Sequence, residues 1–140
     1  NIKNQFKKYG VLNSIIFSGS KPFKEHLNLY NSIDICLDTF PYNGVTTTFE
    51  ALWMGVPVLT MKGYNFNSRC GESINKNLNL SSMIANDEND YILKAREFTD
   101  KEKLTNIRNI IFNNLLKSPL FDGKKFSKEF LGSLEAVYNK

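Results

Sequence analysis

The sequence predicts an α/β fold, a Rossmann-like parallel sheet with helices on both faces. Two observations carry this. Short β-branched apolar runs alternate with stretches of helical periodicity, and strands joined in that way need crossover connections, which favour a parallel sheet. The composition, 41% apolar and 13% aromatic over 140 residues, is enough for one buried core.

Asn1 to Gly10 reads as a helix entered partway through a unit. Ser14 to Ser18 (SIIFS) and Ile33 to Leu37 (IDICL) read as the first two strands. Between them, Gly19 and Pro22 mark a loop, and Phe23 to Ser32 is helical, because Phe23, His26, Leu27 and Tyr30 share one face. After the second strand come the turn-rich loop Asp38 to Gly44 and a helix from Thr46 to Met54, closed by Gly55. Phe49, Leu52 and Trp53 on that helix are expected to pack in the core. Val56 to Thr60 reads as a third parallel strand with Pro57 at its start, where a missing N–H is tolerated.

Gly63 opens a polar loop, and Leu80 to Ala85 is a candidate short strand. Asn89 to Phe98, Lys101 to Leu116 and Lys125 to Tyr138 read as helices, with Ser118-Pro119 as the break before the last. Tyr91, Ala95 and Phe98 form one apolar stripe; Leu104, Ile107, Ile111 and Leu115 form another. The expectation is one partial domain over residues 1–140 with a helical tail from about residue 89. Three or four strands make a small sheet for this fold, so the chain is expected to be a fragment of a larger enzyme.

Composition narrows the partners. The net charge is +4, but only Arg69, Arg96 and Arg108 among 18 basic residues are arginine, and the lysines are scattered among acidic residues, which argues against nucleic acid. No run approaches the roughly 20 apolar residues of a membrane span, and the opening residues lack a signal-peptide core. A soluble, cytoplasmic protein is expected. Cys36 and Cys70 form no CxxC pair, so a reduced compartment fits and no metal site is expected.

In open parallel sheets, ligands lie beyond the carboxyl ends of the strands, which directs attention to Asp38 to Val45. Gly44 would let the backbone approach an anion closely, and the next helix presents free N–H groups and a partial positive charge. Thr46, Thr47 and Thr48 add hydroxyl donors there, a set suited to a diphosphate. Glu50 has two readings: the end of a T-x-x-E capping box from Thr47, or a carboxylate for ribose hydroxyls. His26, the only histidine, is either a packed helical residue or a base contact at the same edge. Arg69 either approaches the ligand or braces its own loop.

Taken together, Ile33 to Gly44 (IDICLDTFPYNG) and Thr46 to Val58 (TTTFEALWMGVPV) resemble the O-GlcNAc transferase and Spindly family of glycosyltransferases. The segments Ser68 to Ser73 and Ser118 to Leu120, and the closing Phe126 to Tyr138 helix, extend the resemblance over nearly the whole chain. It implies the C-terminal half of a GT-B glycosyltransferase that follows a tetratricopeptide array. Such enzymes transfer a hexose such as GlcNAc from a nucleotide diphosphate sugar, here expected to be UDP-linked, to protein Ser or Thr hydroxyls, with inversion and without a metal. By position, His26 would meet the base, Thr46 and Thr47 the diphosphate, and Glu50 the ribose, with Asn43 and Gly44 in the same donor loop. Val45 departs from a position often polar in the family, and Ser14 from a common arginine. The family's diphosphate-binding lysine, acceptor groove and first Rossmann half lie upstream of the matched region. No catalytic residue is therefore assigned within the chain, and the fragment alone is expected to be inactive. The alternative is a noncatalytic nucleotide-sugar-binding or protein-interaction module on a degenerate version of the fold.

Overall fold

The computed structural model describes residues 1–139. Three parallel strands, β1 (Cys36–Leu37), β2 (Val58–Met61) and β3 (Ile84–Ala85), form one sheet in the order β1-β2-β3. Cys36 pairs with Val58 and Leu37 with Leu59, while Thr60 pairs with Ile84 and Met61 with Ala85. The helices are α1 (Ile2–Lys8), α2 (Phe23–Leu29), α3 (Thr46–Trp53), α4 (Cys70–Asn77), α5 (Glu88–Glu97), α6 (Lys101–Asn114) and α7 (Gly123–Tyr138).

Successive side chains of a strand point to opposite faces, yet Val58, Leu59 and Thr60 are all at most 2% exposed. Both faces of β2 are therefore covered, as a parallel sheet with crossover helices requires. The core gathers Leu52 from α3, Leu59 from β2, Ile74 from α4, Met83 before β3, Phe98 after α5 and Ile107 and Ile111 from α6. The stripe Leu104, Ile107, Ile111, Leu115 is buried along its whole length, as its spacing predicts.

Local signals set the tail helices. Asp87, Asp100 and Asp122 each accept a hydrogen bond from a first-turn N–H, so α5, α6 and α7 begin on capping aspartates. The α7 helix leaves Phe126, Phe130, Leu131 and Leu134 more than half exposed.

Three expectations change, and one helix stands where no element is expected. Ser14 to Ser18 is not a strand: Leu12–Ser14 is a 3-10 turn, Ile15 is extended, and Ile16 is 95% exposed. No neighbouring strand among the described residues supplies it with a ladder, and an extended segment without one is not a strand. The α4 helix was not legible, because its buried face includes Gly71, Glu72 and Asn75, and this breaks the apolar period. Leu80 to Ala85 resolves into a 3-10 turn, Ser81–Met83, followed by β3. Trp53 is not a core residue: it is 55% exposed, its ring tilted against Phe121 at 5.4 Å, while Leu52 beside it takes the buried position.

Candidate donor site

The junction between β1 and α3 is built around Asp38. Its Oδ1 accepts hydrogen bonds from the backbone N–H of Thr39 (2.9 Å) and Gly44 (2.8 Å), and its Oδ2 accepts one from Thr60 Oγ1 (2.8 Å). The Asp38 N–H donates to the Leu59 carbonyl, and the Asp38 carbonyl accepts from Tyr91 Oη at 2.9 Å. Burial first, and then the Asp38 charge, push the Tyr91 phenol up to about 12, so it stays a hydrogen-bond donor.

Asn43 lies inside this loop, 1% exposed. Its Nδ2 donates to the Thr39 carbonyl (3.0 Å) and its Oδ1 accepts from the Gly71 N–H (3.3 Å), so it ties the loop to the start of α4. Gly44 is required by space: a Cβ there would stand 2.5 Å from Thr47 Oγ1 and 3.2 Å from Thr48 Oγ1. Its N–H is taken by Asp38 and its carbonyl by Thr48 Oγ1 (2.9 Å), so what it gives the site is close packing of the loop on the first helical turn.

In contrast to the three tail helices, α3 begins at Val45, which has no side-chain cap. The N–H groups of Thr46, Thr47 and Thr48 have no hydrogen-bond partner among the described residues. Thr46 and Thr47 are exposed, whereas Thr48 is buried and turned back onto Gly44. The capping box does not form. Glu50 Oε2 instead lies 3.2 Å from His26 Nε2, joining α3 to α2. The His26 ring meets Tyr30 edge-on at 5.5 Å, and Tyr30 Oη donates to the Thr47 carbonyl at 3.5 Å. Burial first, then the Glu50 charge, raises the Tyr30 pKa and keeps its hydroxyl protonated. Burial and then Asp38 raise Cys36, so its thiol is not an activated nucleophile.

The result is a polar strip along one helix face. Thr46 and Thr47 mark its anion-attracting end, and Glu50 with His26 stands one helical turn away, about 5.4 Å along the axis. A cleft of about 210 Å³ opens beside it, lined by Tyr30, Asp38, Thr39, Gly44, Thr47 and Thr48 among others. Arg69 does not reach the strip: its Nε donates to Glu72 Oε2 at 3.0 Å, bracing the first turn of α4.

Sequence reasoning missed Thr60, Gly71 and Tyr91 as parts of this assembly. Each acts on the loop from 22 or more residues away, and no local pattern announces such contacts.

A parallel sheet with helices on both faces and an uncapped, threonine-bearing helix terminus at its carboxyl edge is the arrangement of a Rossmann-like α/β half. Comparison with known proteins specifies it further. The model of glycosyl transferase family 41 matches residues 1–130. A probable UDP-N-acetylglucosamine-peptide N-acetylglucosaminyltransferase, SPINDLY, of Solanum lycopersicum is 39% identical over 115 residues, covering 81% of this chain and 12% of that protein. The UDP-N-acetylglucosamine-peptide N-acetylglucosaminyltransferase of Caenorhabditis elegans is 33% identical over 127 residues, 90% of this chain and 11% of the relative. Among solved structures, a mutant form of the Thermobaculum terrenum O-GlcNAc transferase superposes with a TM-score of 0.84 at 30% identity, over 98% of this chain and 26% of that one. The chain belongs to glycosyl transferase family 41, and its α/β fold is of the GT-B type. It spans about an eighth of the length of the curated relatives it matches.

Proposed function

We propose that this chain is the donor-binding part of a glycosyltransferase that moves a hexose, GlcNAc or a relative, from a nucleoside diphosphate to Ser or Thr hydroxyls of proteins. The observation that carries the reading is the uncapped start of α3, with three unpartnered N–H groups and two exposed threonine hydroxyls one turn from the Glu50–His26 pair. The acceptor oxygen forms a bond to the anomeric carbon as the bond from that carbon to the diphosphate breaks, and the nucleoside diphosphate leaves with the electron pair. Negative charge grows on the leaving group, and fixed donors at a helix terminus favour it more strongly as it grows. Glu50 is suited to accept hydrogen bonds from vicinal ribose hydroxyls, and His26 to pack against the base. Membership of family 41 and the names of the relatives support the same direction.

The test is calorimetric titration of UDP, GDP and their sugars into the native protein that contains this chain. Replacing Thr46→Ala and Thr47→Ala together removes two hydroxyl donors to a charged group, and the affinity is expected to fall by about tenfold or more. Absence of binding by every nucleotide tried, or affinity untouched by the double replacement, would overturn the reading.

A further inference from the structure

The uncapped end of α3 is held in place by a residue with no free polar atom of its own. Both carboxylate oxygens of Asp38, its N–H and its carbonyl are all engaged, by Thr39, Gly44, Thr60, Leu59 and Tyr91. A carboxylate beside an anion-binding terminus is electrostatically adverse, and a loosely held one would itself cap the helix and compete with the ligand. Asp38 does neither. Its lone pairs go to the loop donors of Thr39 and Gly44, and the N–H groups of Thr46, Thr47 and Thr48 stay open. Gly44 in turn accepts from Thr48 Oγ1, so the carboxylate, the loop and the first turn of α3 are linked in series. The glycine at 71 leaves room for this, since a Cβ there would stand 2.8 Å from Asp38 Oδ2.

We infer that Asp38 is a positioning residue for the donor loop: acting through Gly44, and anchored on its far side by the Tyr91 hydroxyl, it sets the aim of the α3 terminus without touching the nucleotide. The inference rests on the donor-site reading above. Preorganised donors bind without an ordering cost at the moment of contact, so loosening the loop should be felt where phosphate binds and not where the base binds.

The experiment measures affinities of uridine and UDP, and of guanosine and GDP, for the native protein containing this chain and for Asp38→Ala, Asp38→Asn and Tyr91→Phe. The quantity read is the ratio of diphosphate to nucleoside affinity. Asp38→Ala is expected to lower that ratio by about tenfold with nucleoside binding unchanged. Asp38→Asn should restore most of it, because its amide oxygen still accepts from Thr39 and Gly44. Tyr91→Phe should give a smaller loss of the same kind. An unchanged ratio in Asp38→Ala overturns the inference. So does tighter UDP or GDP binding, which would mean that the charge acts through space, and so does equal loss of nucleoside and diphosphate, which would mean general loosening. If Asp38→Ala does not fold, Tyr91→Phe decides by the same ratio. A wild-type protein that binds neither series removes the donor-site reading itself, whereas normal wild-type binding with an unmoved ratio removes only the role of Asp38.

Discussion

Asn75 offers a clean test of how α4 is joined to the sheet. The pairing of β2 with β1 uses the carbonyls of Pro57 and Leu59, which accept from Cys36 and Asp38. The intervening Val58 carbonyl points to the other edge, but the ladder with β3 begins only at Thr60 opposite Ile84. Asn75, fully buried, fills the gap: its Nδ2 donates to the Val58 carbonyl at 2.9 Å and, more weakly, to the Met83 carbonyl at 3.4 Å, while its Oδ1 has no partner. Asn75→Ala strands the Val58 carbonyl, at about 1–3 kcal/mol, and opens a small cavity; loss of the unpaired Oδ1 returns about 1 kcal/mol. The net expectation is a destabilisation of about 2 kcal/mol, read by urea unfolding through Trp53 fluorescence as a midpoint lower by about 1 M with an unchanged slope. Asn75→Asp should be worse at neutral pH, because a carboxylate would face two carbonyls. Burial raises the folded pKa of such a group, so its stability should be recovered at low pH and lost as pH rises through that value. An alanine variant as stable as wild type, or an aspartate variant no worse than alanine, would refute the account.

Three further outcomes are expected. Glu72, 5% exposed, is held below the usual carboxylate range by hydrogen bonds from Lys76 and, behind it, Arg69, against the opposing effect of burial. Its stabilisation is therefore present above about pH 4.5 and lost as pH falls through the lower folded value, and Glu72→Gln should flatten the acid limb of a stability-pH curve measured by urea unfolding. On the proposed reading, in which the ring serves the base and not the phosphates, His26→Ala should weaken uridine or guanosine and the matching diphosphate by the same factor, about three- to tenfold in titration calorimetry. Leu59→Ala, at a site with no exposure in the central strand, should cost about 2–5 kcal/mol in thermal or urea unfolding.

The parts of the fold legible in the sequence are those that local physics decides. The helices α5, α6 and α7 have apolar stripes or aspartate caps, and α3 follows a turn-rich loop; all four emerge within two residues of their expected limits. The failures share a cause. Ser14 to Ser18 has the composition of a strand, but a strand exists only with a neighbour, and composition does not report the neighbour. The α4 helix buries Glu72 and Asn75, polar residues held respectively by flanking cations and by an amide hydrogen bond to the Val58 carbonyl, so its inward face does not read as apolar.

The candidate site divides along the same line, and Glu50 shows how. Locally, Thr47 to Glu50 satisfies the capping-box pattern, and an isolated helix with that sequence has every reason to cap itself. In the fold, α2 brings His26 within 3.2 Å of the carboxylate, and packing against Gly44 turns the Thr48 hydroxyl toward the loop carbonyl. The helix begins at Thr46 behind Val45, so Thr47 lies inside the first turn and not at the cap; Glu50 is drawn to His26, Thr48 turns back on Gly44, and the terminal N–H groups remain open. A helix end left uncapped gives up about 1 kcal/mol of local stability. Thr60 and Tyr91 supply compensating order to Asp38 from the sheet and α5, so part of the rigidity around the open terminus originates in residues a local reading assigns to the core or to the tail.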